Sequence, residues 1–289
     1  MSMRLVRRPR LRDAGMALVA VLWIVAALSL MLTGMTRSVR QEVRSATSAR
    51  QAVEGRAAAE AAINLVLQQM AAKPGAVNRL MSIDVAFRGV STTVQVFPMS
   101  GLIDLNSAQP PLLEALFAVA GGMPPAAAAA GAQAVVQWRT QRDSGGRTFG
   151  FDAPEDLMLV PGFTYDVYAR IAQLVAAGQT SGGAVNPLCA PDGVLLVLAK
   201  GNAQVAERIA AARRTDAVGV DLTQLEASFI GGAVSRAYRL IANVPLLDGA
   251  SMRFTQDVTF QAGPQSELPW RILQSGGVVA LPPGATDRQ

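Results

Sequence analysis

The stretch "RLRDAGMALVAVLWIVAALSLMLTGMTRS" (residues 10–38) joins a basic leader to a long apolar segment. No charged residue occurs between Ala14 and Thr36. As a helix, the twenty residues from Met16 to Met35 would span about 30 Å, the thickness of the hydrocarbon core of a bilayer. A cleaved secretory signal has a shorter apolar core, of about 7–15 residues, and a small-x-small cleavage site, which "LTGMTRS" lacks. The segment therefore predicts an uncleaved N-terminal membrane anchor.

The positive charge of the chain is concentrated in this leader. The whole sequence has a formal net charge of +5, and residues 1–15 alone hold five arginines and Asp13, which gives them +4. The rest of the chain is therefore nearly neutral, which argues against a general affinity for phosphate backbones. A basic leader also predicts a cytoplasmic N-terminus. Arg37, Arg40 and Arg44, beyond the apolar segment, partly oppose that orientation.

The residue types that are missing restrict the chemistry open to this chain. It has no histidine and a single cysteine, Cys189. Ser-His-Asp and Cys-His catalysis are therefore excluded, as are the common zinc sites and an internal disulfide. A lone buried thiol behaves as a small apolar group. Catalysis through carboxylates or lysine stays open, but we expect no enzyme and no bound cofactor.

The helical pattern continues beyond the apolar segment. From Arg37 to about Met70, apolar residues recur at spacings of three and four, and no proline occurs before Pro74. The recurring positions are Val39, Val43, Ala46, Ala49, Val53, Ala57, Ala61 and Leu65. Anchor and amphipathic segment together predict one helix of about fifty residues, roughly 80 Å long. One small domain cannot bury such a helix, so we expect it to pack against copies or relatives of itself.

A basic leader ending in Gly15, an apolar segment beginning at Met16 and a long amphipathic helix together resemble the N-terminus of type IV pilins and type II secretion pseudopilins. The resemblance implies that prepilin peptidase cuts between Gly15 and Met16 and methylates the new N-terminal amine. Asp13, close to the cut, departs from the leaders of that family.

The fifth residue of the mature chain is the more telling position. The family usually has glutamate there, thought to pair with the N-terminal amine of a neighbouring subunit, whereas this chain has Ala20. A lone charge in a bilayer costs about 2.5–3.5 kcal/mol on insertion scales, so losing it suits a subunit with no neighbour on that side. The K-type minor pseudopilin characteristically lacks this glutamate, and the chain resembles that member of the family.

The rest of the sequence predicts strands interrupted by a helical region. Residues 81–97 hold two β-branched runs around Arg88-Gly89, which predicts a hairpin. Alternating strands return from residue 234, with a turn at Asp248-Gly249. Alanine-rich helices fill the region between, and residues 124–139 are the clearest of them. The predicted fold class is α+β: a pilin-like long N-terminal helix packed on an antiparallel β-sheet, with a large inserted α-helical domain.

Such an insertion within the pilin sheet is also what the resemblance to the K type implies. The predicted boundaries are the leader at 1–15, the transmembrane part of the helix at 16–36, its periplasmic part at 37–73, the first part of the sheet at 76–100, the inserted α-domain at 101–229, the second part of the sheet at 230–280 and a disordered tail at 281–289.

The insertion contains a weak internal repeat. "GLIDLNSAQPPLLEALF" (101–117) parallels "GGAVNPLCAPDGVLLVLA" (182–199). Each has a short extended run, then an asparagine, Asn106 or Asn186, then a proline near a helix start and an apolar helix. Residues 151–171 predict a third helical hairpin.

These segments also resemble helix-hairpin-helix modules. On that alternative, the chain would be a membrane-anchored DNA-binding protein of a competence or pilus system. Such modules need a Gly-x-Gly hairpin whose N–H groups meet a phosphate. The hairpins here read "VPGFT", "VAGGMPP" and "LAKGNAQ", without that motif, and only Lys200 adds a cation. Helix pairs that pack against protein are therefore the favoured interpretation.

The insertion also holds a modest acidic cluster, which consists of Asp152, Glu155, Asp156 and Asp166. Asp152 is predicted to cap a helix, with Glu155 three residues later completing a capping box. Hard cations take several carboxylates, so the four residues are also candidates for a Ca²⁺ site, although no EF-hand spacing exists. Capping and solvation are the favoured interpretation.

The resemblance implies a structural protein at the tip of the pseudopilus, which helps to start assembly for export across the outer membrane. We expect a single-pass protein of the bacterial inner membrane, with its C-terminal domain in the periplasm. The implied partners are the I- and J-type minor pseudopilins, other pseudopilins, prepilin peptidase and the inner-membrane secretion platform. No nucleic-acid partner is expected.

Overall fold

The computed structural model describes residues 12–87, 89–142, 145–146, 148–178, 180, 182–215, 219–246, 249–260, 268–277 and 279–281. Side chains are left undescribed at residues 12–17, 30, 32–40, 43–45, 90 and 280. Some predicted features lie outside the described residues, namely residues 1–11 of the leader, the turn residues Arg88 and Asp248, and residues 282–289 of the tail. The chain divides into two compact units, Met1–Glu54 and Gly55–Gln289.

One helix, α1, runs from Arg12 to Ala72 and crosses the boundary between the units. The sequence predicted that this helix starts with the apolar segment, at Met16. In the structure it starts earlier, at Arg12. No proline interrupts it, and alanine, the strongest helix former, recurs throughout. The helix ends where predicted, because Pro74 cannot continue it. Gly75 has a φ of +80°, which is typical of a residue just after a helix.

The described strands follow in chain order. They are β1 (Met81–Phe87), β2 (Val90–Pro98), β3 (Ile103–Asp104), β4 (Val175–Ala176), β5 (Ala237–Pro245), β6 (Ser251–Thr259), β7 (Arg271–Ser275) and β8 (Val279–Leu281). The large antiparallel sheet has the order β1-β2-β5-β6-β7, and β8 also pairs with β6. β3 and β4 form a separate parallel pair. Both predicted hairpins are confirmed, since Phe87 pairs with Val90 and Pro245 with Ser251.

Between β2 and β5 the described chain is mainly helical. Its helices are α2 (Pro110–Ala115), α3 (Pro125–Thr140), α4 (Tyr165–Ile171), α5 (Asp192–Leu198) and α6 (Ala203–Arg214), with a π-helical turn at Leu116–Ala120 and a 3-10 helix at Pro154–Leu159. Proline occupies the first turn of both α2 and α3, where its missing N–H is not needed. The predicted helix at 124–139 is confirmed as α3. Three hairpins result: α2 with α3, the 3-10 helix with α4, and α5 with α6.

One core of the second unit lies between α1 and a face of the large sheet. Alternation along β5 brings Leu240, Ala242 and Val244 to this face. The buried residues of α1 recur at helical spacing and are Ala59, Ala62, Ile63, Val66, Leu67 and Met70. Gly55 allows close approach, because a Cβ there would lie 2.9 Å from Sδ of Met252. The predicted α+β fold, with the helix packed on an antiparallel sheet, is therefore confirmed.

A second core fills the helical region. Phe117 is fully buried and meets the edge of Phe163, with ring centroids 4.8 Å apart. Around this pair pack the apolar faces of α2, α3, α5 and α6. Both cores belong to the same compact unit, so the helical region and the sheet stabilise each other.

Candidate protein interaction surfaces

The side of α1 that faces away from the sheet is a candidate contact surface. We call it the outer face, and within the second unit it consists of Ala57, Ala61, Asn64 and Gln68. Ala57 is exposed and Ala61 is half-buried, whereas Ala59 and Ile63 are fully buried. At about 100° per residue, the two pairs lie on roughly opposite sides of the helix. The predicted amphipathic positions Ala57 and Ala61 therefore lie outside the buried stripe.

The outer face has the properties of a helix-packing surface. Its four side chains carry no charge, and the two alanines would let another helix approach closely. The charged residues beside it, Arg56 and Glu60, pair with each other at 2.8 Å. The helix is thus uncharged on two sides, and its own sheet buries only one of them.

In the first unit, large apolar side chains are exposed along α1. They are Leu18, Val19, Val21, Leu22, Trp23, Ile24, Val25, Leu28, Met31 and Val53, each more than half exposed. Ala20 is also exposed. Within the part of the chain that the structure describes, no helix combines the length and the apolar character that crossing a membrane requires.

Gly15 and Met16, the residues of the predicted processing site, both lie within α1. The peptide bond between them is therefore helical in this structure. Cleavage there would leave Met16 at the first position of the remaining helix.

The predicted internal repeat is confirmed as a repeated local structure. Asn106 donates from Nδ2 to the carbonyl of Phe151 and accepts the N–H of Phe151, both at 2.8 Å. Asn186 donates to the carbonyl of Ala233 and accepts the N–H of Leu188, both at 3.0 Å. In both copies the extended run before the asparagine pairs in parallel with another segment. Each asparagine thus ties the start of an apolar helix to a distant backbone segment.

An arginine at the end of the first hairpin binds the same segment as Asn106, and it was not predicted from the sequence. Arg139, in the last turn of α3, donates from Nη1 to the carbonyls of Leu105 and Ala108 at 3.1 and 2.9 Å. These carbonyls flank Asn106, just before α2. Burial lowers the pKa of Arg139, and the charge of Asp104 opposes that shift.

Arg213 plays the same part in the second hairpin, and it too was missed. It lies in the last turn of α6, and its Nη1 donates to the carbonyls of Pro187 and Ala190, just before α5. Its Nη2 pairs with Asp192. Burial lowers the pKa of Arg213, and Asp192 opposes the shift. An arginine three turns along a helix has no local signal, so only a comparison of the two repeats could have singled it out.

The turns of the three hairpins carry glycines in the left-handed region. Gly122, Gly162 and Gly201 have φ values of +69°, +96° and +86°. Lys200, the hairpin cation noted in the sequence, places Nζ 2.8 Å from Oε2 of Glu226. Its charge is therefore engaged within the chain, which weakens the case for a phosphate-binding hairpin.

The acidic cluster does not cap its helix in the predicted way. The N-cap of the 3-10 helix is Ala153, so Asp152 is not the cap. Asp156, rather than Glu155, reaches back: its Oδ2 accepts the N–H groups of Asp152 and Ala153 at 2.9 and 3.0 Å. The reason is Pro154, which takes the first helical position and so places the cap at residue 153 and the back-bonding carboxylate at residue 156.

The same four carboxylates also do not assemble as a calcium site. Among the described residues, which include Asp152, Glu155, Asp156 and Asp166, no group of three or more acidic, His or Cys side chains is arranged to hold a metal ion. Glu155 interacts with Tyr168, and Asp156 binds backbone. The predicted Ca²⁺ candidates therefore find no support in this arrangement.

A buried ion pair joins the sheet to the helical region. Arg239 on β5 and Asp257 on β6 are direct cross-strand partners and make two hydrogen bonds of 2.8 Å. Both residues are 4% exposed. Nη1 of Arg239 also donates to the carbonyls of Gln173 and Val175, at 3.3 and 3.4 Å, in the segment after α4. Burial is the largest single influence and lowers the pKa of Arg239, but the charge and hydrogen bonds of Asp257, together with Glu155 and Tyr168, outweigh burial and raise that pKa.

A pocket of about 170 Å³ lies beside this ion pair. Glu155 and Tyr168 line it together with Arg239 and Asp257. Burial, with a hydrogen bond to Glu155, raises the pKa of Tyr168. Arg239 binds Asp257 and Glu155 interacts with Tyr168, so these groups help to hold the sheet against the helical region.

Cys189 behaves as the predicted buried thiol. It is fully buried, and its Sγ donates to the carbonyl of Asn78 at 3.3 Å. Burial raises the pKa of Cys189 to about 11. The thiol therefore stays protonated at neutral pH and is a poor nucleophile.

No protein-family model matches this sequence, and no curated protein matches it either. Among solved structures, the chain is similar to one chain of the crystal structure of the GspK-GspI-GspJ complex from the enterotoxigenic Escherichia coli type 2 secretion system. The two chains are 16% identical, and the alignment covers 82% of this chain and 99% of that chain with a TM-score of 0.49.

Proposed function

We propose that this chain is a structural K-type minor pseudopilin of a type II secretion system and has no enzymatic activity. The observation that carries the proposal is the outer face of α1. A helix that is buried on one side by its own sheet keeps a second side uncharged, with two alanines that permit close approach, as a subunit of a helical fibre would need. The basic leader, the apolar segment and Ala20 support the same assignment through the sequence resemblance.

The proposed partners on the outer face are the α1-type helices of the I- and J-type minor pseudopilins. A photo-crosslinking amino acid, p-benzoylphenylalanine, placed at Ala57 of the full chain should crosslink to those subunits in intact cells. The matched control is the same amino acid at Phe149, which is 50% exposed in the helical region. Crosslinks from residue 149 with none from residue 57 would contradict the proposed packing.

The proposed anchoring is a single pass through the inner membrane with the C-terminal domain in the periplasm. It rests on the uncharged segment from Met16 to Met35 and on the arginine-rich leader. Prepilin peptidase would process the chain between Gly15 and Met16. N-terminal sequencing of membrane-extracted protein should begin at a methylated Met16, and Gly15→Leu should block the cut. A start at Met1 would refute the processing step.

The proposed position is the tip of the pseudopilus, where this subunit helps to start assembly. Ala20 supplies no carboxylate for the N-terminal amine of a neighbour. The helical region between β2 and β5 also adds bulk that a tightly stepped fibre shaft would have to accommodate. Gold labelling of the helical region should mark one end of each pseudopilus. Labels along the whole shaft would refute the tip position but would leave the proposed K-type assignment unchanged.

DNA binding is the rival function, suggested by the helical hairpins. Against it stand the near-neutral body, the missing Gly-x-Gly turns and the pairing of Lys200 with Glu226. We expect no duplex DNA binding by the full chain near physiological salt. Micromolar affinity with a slope of about −4 or steeper in log K against log salt would correspond to four or more neutralised phosphates and would favour the rival.

A further inference from the structure

A pocket of about 510 Å³ opens at the C-terminal end of α1, on a different surface from the outer face. Met70 and Pro74 border it from the helix end, and Tyr238 and Phe260 from the sheet. Its volume falls within the range of about 300–1,000 Å³ that is common for ligand sites, which are lined mainly by apolar and aromatic groups with a few polar ones.

The apolar wall of this pocket is held in place by aromatic packing. Tyr238 is 8% exposed and meets Phe260 edge-on, with centroids 5.7 Å apart and an angle of 86° between the rings. Phe260 in turn lies 6.3 Å from Trp270. Because each ring is braced by the next, the wall is preformed and would not have to be ordered by a ligand.

Two cations from different elements line the same pocket. Lys73 follows the last residue of α1, and Arg236 immediately precedes β5. Lys73 and Arg236 are both exposed. No acidic residue is among the described residues that line the pocket, and within the described part of the chain neither cation makes an ion pair. The pocket therefore combines an apolar interior with positive charge.

We infer that this pocket binds the free C-terminus of a partner protein that ends in apolar residues. A C-terminal residue supplies both complementary features within a few ångströms, an apolar side chain for the wall of Tyr238 and Phe260 and a carboxylate for Lys73 and Arg236. Binding through the charge of exposed lysine and arginine is modest, so the apolar side chains supply much of the affinity and the carboxylate supplies selectivity. The inference does not depend on the pseudopilin assignment.

The test uses the full chain in phosphatidylcholine nanodiscs and fluorescence anisotropy. The probe is the peptide Gly-Ser-Gly-Ser-Gly-Ala-Leu-Phe, labelled with fluorescein at its N-terminus and ending in a free carboxylate. Two matched peptides carry a C-terminal amide or end in Ser-Ser. We expect the free acid to bind saturably and the amide to bind about tenfold more weakly. The Ser-Ser peptide should bind more weakly still, because it lacks the apolar side chains.

Protein variants locate the binding. The double variant Lys73→Ala/Arg236→Ala should weaken binding of the free acid by about tenfold and leave binding of the amide unchanged. Lys200→Ala, a cation in the helical region, is the matched control and should have no effect. Since all three side chains are exposed, thermal unfolding should match that of the parent chain.

Three results would overturn the inference. They are equal binding of acid and amide, loss of binding in Lys200→Ala as large as in the double variant, and no binding of any peptide. Decanoate tests whether the pocket takes lipid instead. In this test decanoate and the free-acid peptide each compete with a fluorescent fatty acid for the pocket. If decanoate displaces the fatty acid saturably and the peptide does not, the pocket binds lipid and the proposed peptide ligand is refuted.

Discussion

The sheet region and the helical region of the second unit are held together by different kinds of interaction. In the sheet region, strands satisfy their own backbone by pairing, and apolar side chains such as Leu240 and Ile63 join sheet to helix. In the helical region, the segments between the short elements have backbone carbonyls that no strand ladder pairs, and polar side chains bind them. Asn106, Asn186 and Arg213 do so for carbonyls in the segments that connect the short helices and strands, and of the three Asn186 and Arg213 are buried. The sheet region is therefore held together by a periodic pattern of apolar residues, and the helical region by individual polar residues.

The junction between the regions should be the most sensitive point. Asp257→Asn would leave the buried charge of Arg239 without its partner, so we expect unfolding to become easier by about 3–5 kcal/mol. Urea denaturation of the full chain in a mild detergent measures this. The double variant Arg239→Met/Asp257→Leu should recover much of the loss, because apolar residues can replace a buried ion pair. A double variant as unstable as Asp257→Asn would show that the pair does more than neutralise its own charges.

The sheet region should respond to lost volume. Ile63→Ala removes a fully buried side chain from α1 and should cost about 2–4 kcal/mol of unfolding free energy. Ala57→Gln, on the outer face, should change stability by no more than about 0.5 kcal/mol. The same urea titrations check both. If Ala57→Gln were as destabilising as Ile63→Ala, the outer face would be part of the core and the contrast between the two sides of α1 would fail.

The helical region should respond to lost hydrogen bonds. Arg213→Met leaves the carbonyls of Pro187 and Ala190 unpaired in a buried setting, so we expect a loss of about 2–3 kcal/mol. Arg139→Met makes the same change in the other repeat, but at a half-buried residue, and should cost only about 1 kcal/mol because water can replace the bonds. Equal losses in the two variants would mean that burial does not set the strength of these contacts.

The smallest expected effect concerns the pH dependence of stability at Cys189, where the two regions meet. Burial raises the pKa of this thiol from 9.0 to about 11. Below the unfolded pKa the thiol is protonated in both states and has no effect. As pH rises further, the unfolded thiol ionises first, so stability is lost. Relative to Cys189→Ala, the parent chain should lose about 1 kcal/mol between pH 8 and pH 10.

The difference between the two denaturation series isolates the thiol from the other groups that titrate in this range. Parallel curves for the parent chain and Cys189→Ala would mean that the thiol is accessible to water in the folded state. A divergence that begins below pH 7 would contradict the raised pKa.

Several elements could be predicted because their signals are local. The two hairpins follow from β-branched runs around turn residues, and α3 follows from prolines and alanines in sequence. The weak repeat identified Asn106 and Asn186, each of which donates from its side chain to a distant backbone carbonyl. The predicted cap, Asp152, was one position too early, because Pro154 takes the first helical position and so places the cap at Ala153.

Other features depend on contacts between residues that lie far apart in the sequence. Arg239 and Asp257 are separated by a whole hairpin, and only the register of β5 against β6 brings them together. The partners of Arg139 and Arg213 lie tens of residues earlier in the chain. Nothing in the residue types near these arginines indicates which carbonyls they bind, because each contact requires the hairpin to have closed.

The sequence by itself determined that the chain has one long helix, an antiparallel sheet and a run of short apolar helices, because periodicity and turn chemistry act between near neighbours. Only the tertiary structure decided which side of α1 is buried. Ala57 and Ala61 on one side fit the same helical periodicity as Ala59 and Ile63 on the other, so this pattern alone cannot choose between the two sides. The choice is made by the sheet, whose alternating strands offer a single apolar face on which Gly55 and the buried stripe of α1 can pack closely.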